Sequence, residues 1–235
     1  MKVAPDNLFH VTHAKAGSTW IADILSMAFG ERVFQRFGRR TERYEWSKGT
    51  IYPAIFLAKD EFDALKGTAG QPTFFVLRDI RDALVSLYFS LRYTHATEGF
   101  PHIVAFREEV KDMNDGEGLI YTIRTRSTEI RRIQESWLGS GAKVVRYEDL
   151  IESGGRILAD VLKEIGFRFD AAALDAAIAA NSFEAKFGRS LGVVDENSHG
   201  RQGAPGDWRN YTSPELEEFV RENLADILGK GGYEV

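Results

Sequence analysis

The sequence predicts an α/β domain with a central, mostly parallel sheet covered by helices on both faces. Three short apolar runs carry that prediction: Leu8 to Thr12, Thr73 to Leu77 and Lys143 to Arg146. Each is rich in β-branched or aromatic residues, and each passes into a segment with helical spacing. Strands that alternate with helices need crossover connections, and crossovers make the strands parallel.

The elements follow in order. After the first run, Trp20, Ile21, Ile24, Leu25, Ala28 and Phe29 recur at helical spacing, which predicts a helix over 19–29. Gly70 and Pro72 introduce the second strand, and a helix over 80–91 follows it. A long helical stretch covers about 119–138. Gly139 and Gly141 then separate it from the third strand, which leads into another helical run. Asp170 is a candidate cap for a helix reaching about residue 180. Ser213, Pro214 and Glu215 supply a cap, a first-turn proline and an acidic first turn for a last helix ending near Leu228, before Gly229.

Bulk composition narrows the function classes. The 235 residues suit one domain spanning 1–235, with 43% hydrophobic and 28% charged residues. The formal net charge of -5 argues against a global grip on nucleic acid, while a local basic pocket for a small anion stays open. Cysteine is absent, so disulfides and thiolate metal sites are excluded. No apolar segment follows the polar start, and no run reaches the roughly 18 residues that span a bilayer. A cytoplasmic location is the expectation. Oligomeric state is not legible.

In open parallel sheets ligands bind where strands end and helices begin. The first such joint reads Thr12-His13-Ala14-Lys15-Ala16-Gly17-Ser18-Thr19-Trp20. Gly17 permits a tight turn, and free N–H groups at the helix start favour an anion. Lys15 adds a point charge, and Ser18 and Thr19 add hydroxyls. The loop lacks the G-x-x-x-x-G-K-[ST] order of a nucleotide-binding P-loop. The second joint places Arg78 at a strand end and Ser86 about two helical turns on, a fork and a hydroxyl suited to a terminal phosphate. Asp79 or Asp82 is a candidate helix cap that also holds the arginines. Taken alone, the first joint is equally a plain turn with a surface lysine, and the second a surface ion-pair cluster.

These joints resemble those of the sulfotransferase family, which use 3'-phosphoadenosine 5'-phosphosulfate (PAPS) and release adenosine 3',5'-bisphosphate (PAP). The first is similar to the family's Y-P-K-[SA]-G-[ST]-[TS]-W loop, departing from it at Thr12-His13-Ala14. The second is similar to R-[ND]-x-[KR]-D-x-x-V-S-x-[YW]. Two weaker segments, Tyr147-Glu148-Asp149-Leu150 and Asn181-Ser182-Phe183, look like family pieces that approach the adenine. A glycine-rich segment from Gly200 to Asn210 resembles R-[KR]-G-x-x-G-D-W-[KR]-x. The resemblance covers most of the chain and is thin over about 31–70 and 96–140, where the family builds its acceptor pocket.

The resemblance implies a P-loop-NTPase-like sulfotransferase fold, a three-layer α/β/α domain. It implies that Lys15, Ala16, Gly17, Ser18 and Thr19 hold the 5'-phosphosulfate and that Trp20 stacks near the adenine. Arg78 and Ser86 would bind the 3'-phosphate, with Arg81 structural. Tyr147, Ser182 and Phe183 would lie near the adenine. Arg201, Gln202 and Gly203 would close over the 3'-phosphate, with Gln202 replacing a usual basic residue. Lys15 would stabilise the leaving phosphate oxygen, and no metal is expected. The family's histidine base is missing from residues 50–57. His95 is the first substitute, then Glu45 and Tyr52, and each is equally readable as a pocket wall or surface residue. The acceptor is expected to be a small molecule, lipid or glycan, attacking through a hydroxyl or, second, an amine. Two other readings are a P-loop kinase, for which the loop is wrong, and a PAPS- or PAP-binding module without catalysis.

Overall fold

The computed structural model describes residues 6–34, 46–195, 198 and 200–235. Four parallel strands form one sheet: β1 (Leu8–Thr12), β2 (Ile51–Ile55), β3 (Thr73–Leu77) and β4 (Lys143–Arg146). Their order is β2-β1-β3-β4. The chain leaves β1 for β2 on one side and later leaves β3 for β4 on the other. Connections therefore diverge between β1 and β3, which makes the crevice above their C-terminal ends the topological switch point. Lys15 follows β1 and Arg78 follows β3, so the two joints flank that crevice.

Three strands fall where the sequence predicts them; β2 is additional. Pro53 interrupts its apolar pattern, and a proline is tolerated there because β2 is an edge strand. The pairing of β1 with β2 shifts register between Phe9 and Val11, and Ala54 sits at φ 59° beside the shift. Its backbone N–H donates to His10 Nδ1 at 3.2 Å.

Helices cover both faces of the sheet. On one face α1 (Ser18–Phe29), α7 (Ile157–Glu164) and α8 (Ala171–Ala180) bury Ile21, Leu25, Leu162 and Leu174 against Leu8, Phe74 and Val76. On the other, α2 (Lys59–Asp63) and α5 (Asp115–Trp137) bury Phe62, Ile133 and Trp137 against Phe9, Phe75 and Leu77. Alternate residues of β1 and β3 thus serve two cores, as strand pleating requires. A third cluster joins α3 (Ile80–Phe89), α4 (Pro101–Glu109), α5, α10 (Pro214–Asn223) and α11 (Ala225–Lys230). Two short helices, α6 (Tyr147–Glu152) and α9 (Phe183–Phe187), follow β4 and α8 along the chain.

Helix starts follow local chemistry. Asp170 caps α8 by accepting from Ala172 N and Ala173 N, and Ser213 caps α10 by accepting from Leu216 N. Helix α5 begins four residues earlier than expected because Asn114 and Glu117 form a reciprocal capping box. The expected helix over 80–91 instead ends its α-helical part at Phe89 and continues as a π-helical turn, Ser90–Thr94. The expected last helix is broken at Leu224 into α10 and α11. No helix among the described residues is long and apolar enough to cross a membrane.

Candidate active site

The loop after β1 carries backbone strain. Lys15 adopts φ 65°, a left-handed conformation that costs a non-glycine residue of the order of 1–2 kcal/mol. Gly17 then enters α1 at φ 76°. A Cβ on Gly17 would lie 2.8 Å from Tyr147 Cε2, so the turn needs glycine for space as well as for conformation. No side chain caps α1. Its first backbone N–H groups therefore open onto the crevice beside Lys15, an arrangement that favours an anion.

Arg78 binds this loop to the second joint. Its Nη1 donates to Lys15 O at 2.8 Å, and its guanidinium lies 4.6 Å from the Tyr147 ring centroid. Asp82 Oδ2 stands 4.0 Å from Arg78 Nη2. Arg78 Nε is buried without a hydrogen-bond partner among the described residues. Backbone placement is as tightly set: Arg78 N donates to His13 Nε2 at 3.2 Å, and Gln134 Nε2 donates to Arg78 O at 2.7 Å.

The electrostatics are those of a crevice prepared for negative charge. Burial, with repulsion from Arg78 second, lowers the Lys15 pKa to about 8. No carboxylate among the described residues pairs with its ammonium. His13 is held neutral, its pKa lowered by burial to about 4. Its Nδ1 hydrogen-bonds to Ala14 O at 2.9 Å, which leaves Nε2 as the acceptor for Arg78 N.

Asp79 caps α3 by accepting from Arg81 N, and it also holds the Arg81 guanidinium at 2.8 Å. The Arg81 guanidinium lies 3.8 Å from the Trp208 ring centroid. Asp82, buried, accepts from Gly206 N at 2.6 Å and Trp208 N at 2.9 Å, which ties the C-terminal loop to α3. Tyr147 OH donates to Gly203 O at 3.0 Å from the other side. Ser86 is half-buried on α3.

The remaining candidates fall as follows. Trp20 is anchored by its Nε1, which donates to Asn181 O at 2.7 Å, next to Ser182, the cap of α9. Phe183 packs on Gly203, where a Cβ would meet the ring at 2.3 Å. Ala16 is fully buried, and Ser18 and Thr19 open α1. Arg201 is engaged within the protein: its guanidinium pairs with Asp207, donates to Tyr211 OH at 3.0 Å and lies 4.2 Å from the Phe89 ring centroid. The Gln202 amide also faces Asp207.

Of the three candidate bases, His95 ends the π-helical turn, and its Nδ1 lies 3.2 Å from Ser90 Oγ. Arg107 Nη2 donates to His95 O at 2.7 Å. Burial lowers the His95 pKa, and the charge of Lys15 lowers it further, so the imidazole lies within reach of the Lys15 field. Tyr52, the third candidate, lies on β2 in the core. It is 2% exposed, its ring is stacked on Phe9 and edge-on to Trp46, and its hydroxyl accepts from Ser47 N at 2.7 Å. Packing accounts for it. Glu45 lies outside the described residues.

Sequence reading missed His13, Gln134 and Asp207. Gln134 was findable as a lone polar residue among Ile130, Ile133 and Trp137 on the buried face of α5. Asp207 had no comparable signal, because its partner Arg201 is near it only through the loop's fold. Among the described residues, no group of three or more His, Cys, Asp or Glu side chains converges to hold a metal ion.

No family model and no curated protein matches the chain. Among solved structures, the fold is similar to mouse sulfotransferase SULT7A1 complexed with PAP, with a TM-score of 0.68 and 15% identity over 95% of this chain and 84% of that one. It is also similar to retinol dehydratase in complex with androsterone and inactive cofactor PAP, with a TM-score of 0.51 and 14% identity over 97% and 82% of the two chains. A second retinol dehydratase structure, with retinol and PAP, has a TM-score of 0.50 and 13% identity over the same shares. At these identities the likeness is one of fold.

Proposed function

We propose that this chain transfers a sulfuryl group from PAPS to an acceptor hydroxyl and releases PAP. The observation that carries the reading is the Lys15–Arg78 pair at the switch point. Two cations share a crevice beside the open N-terminus of α1, and no carboxylate among the described residues neutralises Lys15. A bound phosphosulfate would supply the missing negative charge. The PAP complexes of the structural neighbours point to the same ligand class for this crevice.

The residues divide the work. Lys15, with the N–H groups and hydroxyls of Ser18 and Thr19, would hold the 5'-phosphosulfate. Arg78, through the unpartnered Nε, and Ser86 would hold the 3'-phosphate. Arg201 would join them by exchanging Asp207 for that phosphate. Tyr147, Trp20, Ser182 and Phe183 would frame the adenine. The acceptor oxygen attacks sulfur, the bond from sulfur to the bridging oxygen breaks, and that oxygen leaves with the 5'-phosphate. Lys15 stabilises the charge that builds on it, an electrostatic contribution worth about 3–4 kcal/mol when a comparable donor is removed from an enzyme. His95 takes the acceptor proton, with Ser90 orienting the ring through Nδ1.

The test is transfer of labelled sulfuryl from PAPS to a panel of phenols, lipid alcohols, glycans and amines. Transfer that disappears in Lys15→Ala while PAP binding persists supports the reading. Tight PAP binding with no transfer to any acceptor assigns the chain to the non-catalytic binding class instead.

A further inference from the structure

After α11 the chain folds back on itself. Gly232 adopts φ 73°, and Tyr233 N donates to Leu228 O at 2.9 Å. The Tyr233 ring packs on two of the hydrophobic clusters and lies 4.4 Å from the Arg146 guanidinium, at the end of β4. Its hydroxyl reaches Glu148, a buried residue of α6. Tyr233 OH donates to Glu148 Oε2 at 2.8 Å, and Glu148 Oε1 accepts from Asp79 N at 3.1 Å. Burial, and then the Glu148 charge, push the Tyr233 phenol far above its usual range, so the hydroxyl stays a donor.

The Asp79 N–H belongs to the peptide that leaves Arg78. The carbonyl of that peptide accepts from Gln134 Nε2 at 2.7 Å, and its N–H donates to Glu148. Side chains thus hold both polar groups of one peptide, while His13 holds Arg78 N. Glu148 is the charged member of these three anchors. Besides Tyr233, Arg146 faces its Oε2, with Nε 3.9 Å away and beyond hydrogen-bond reach.

We propose that Tyr233 is a positioning residue for Arg78: its hydroxyl holds the Glu148 carboxylate on the Asp79 N–H, and this hold sets where the guanidinium meets the 3'-phosphate of the donor. Loss of the hydroxyl takes one donor from a buried carboxylate. Arg146 then draws that carboxylate off the Asp79 N–H. A binding group whose support is loosened contacts its ligand less well. The effect on the nucleotide rests on the donor-site reading above; the hold on the Asp79 N–H does not.

The experiment uses the full chain and two readouts. Amide exchange at the Asp79 N–H, followed by NMR without nucleotide, reads the hold, and calorimetry with PAP reads its consequence. Tyr233→Phe removes only the hydroxyl and keeps the ring on Arg146. It is expected to speed exchange of the Asp79 N–H by about tenfold and to raise the PAP Kd by a similar factor. Glu148→Gln, whose single amide oxygen cannot serve both donors, is expected to weaken PAP binding likewise, and adding Tyr233→Phe to it is expected to have no further effect. Gly30→Ala, a loss of stability alone, is expected to leave the PAP Kd unchanged. Unchanged Asp79 exchange in Tyr233→Phe overturns the hold. PAP binding with the same Kd in Tyr233→Phe, equal weakening by Gly30→Ala, or additive effects of Tyr233→Phe and Glu148→Gln overturns the positioning role. Absence of PAP binding in the parent protein, with Asp79 exchange accelerated in Tyr233→Phe, overturns the donor-site reading and supports the hold.

Discussion

His13 Nε2 accepts the Arg78 backbone N–H at 3.2 Å, so one buried imidazole holds the loop after β1 against the loop after β3. Gln134 closes the arrangement by donating to Arg78 O. His13 therefore ties together the two joints that carry Lys15 and Arg78.

His13→Leu leaves the Arg78 N–H unpaired and is expected to destabilise the fold by about 1–3 kcal/mol, read from urea denaturation. The same residue gives the protein an acid limb. Burial lowers its pKa from 6.5 to about 4, and lowers that of His10 to about 3. The unfolded chain therefore binds more protons than the folded one below pH 6.5, so stability falls as pH drops through that value. The melting temperature is expected to decline from pH 6.5 toward pH 4, less steeply in His10→Leu even though that variant starts lower.

Lys15 is a cation with no carboxylate partner among the described residues. Its pKa of about 8 lies below the ordinary 10.5, so between those values the unfolded state binds the extra proton and the Lys15 contribution to stability rises with pH. Lys15→Met removes an uncompensated charge beside Arg78 and is expected to stabilise the free protein by ~1 kcal/mol, a rise of a few degrees in Tm. The same change is expected to abolish turnover. In the parent protein, kcat/KM is expected to fall above about pH 8 as Lys15 loses its proton.

Gly17→Ala tests the cradle. The added methyl meets Tyr147 at 2.8 Å with φ at 76°. A loss of stability of at least ~1 kcal/mol is expected, with weaker PAP binding because Tyr147 must move. Gly30→Ala, also at positive φ but with open space around it, is expected to cost stability alone.

Asp82→Asn tests the tether of the C-terminal loop. Both N–H donors, from Gly206 and Trp208, lose a charged acceptor. Charge-assisted hydrogen bonds are worth about 1.5–3 kcal/mol each, so a rise of about tenfold or more in the PAP Kd is expected. Proteolysis should reach the loop sooner in the variant.

Much of this was legible in the chain itself. The three apolar runs became β1, β3 and β4 because short buried strands leave that signature. Asp170 and Ser213 cap helices as their positions require. Edge strand β2 was hidden by Pro53, and the break at Leu224 by an unbroken helical pattern. At the joints, Lys15 and Arg78 stood out because each follows a strand where a helix begins. His13 to Gln134 and Arg201 to Asp207 did not. The first is a contact across 121 residues, and the second depends on how a glycine-rich loop turns back on itself.

The most direct test of the account is calorimetric binding of PAP to the protein and to Arg78→Ala, with ATP and magnesium as the comparison. The account predicts PAP binding that is lost in the variant, stabilisation of about 2.7 kcal/mol at a hundred times the Kd, and no comparable effect of ATP. Preference for ATP with magnesium, or PAP binding that survives Arg78→Ala undiminished, would contradict it.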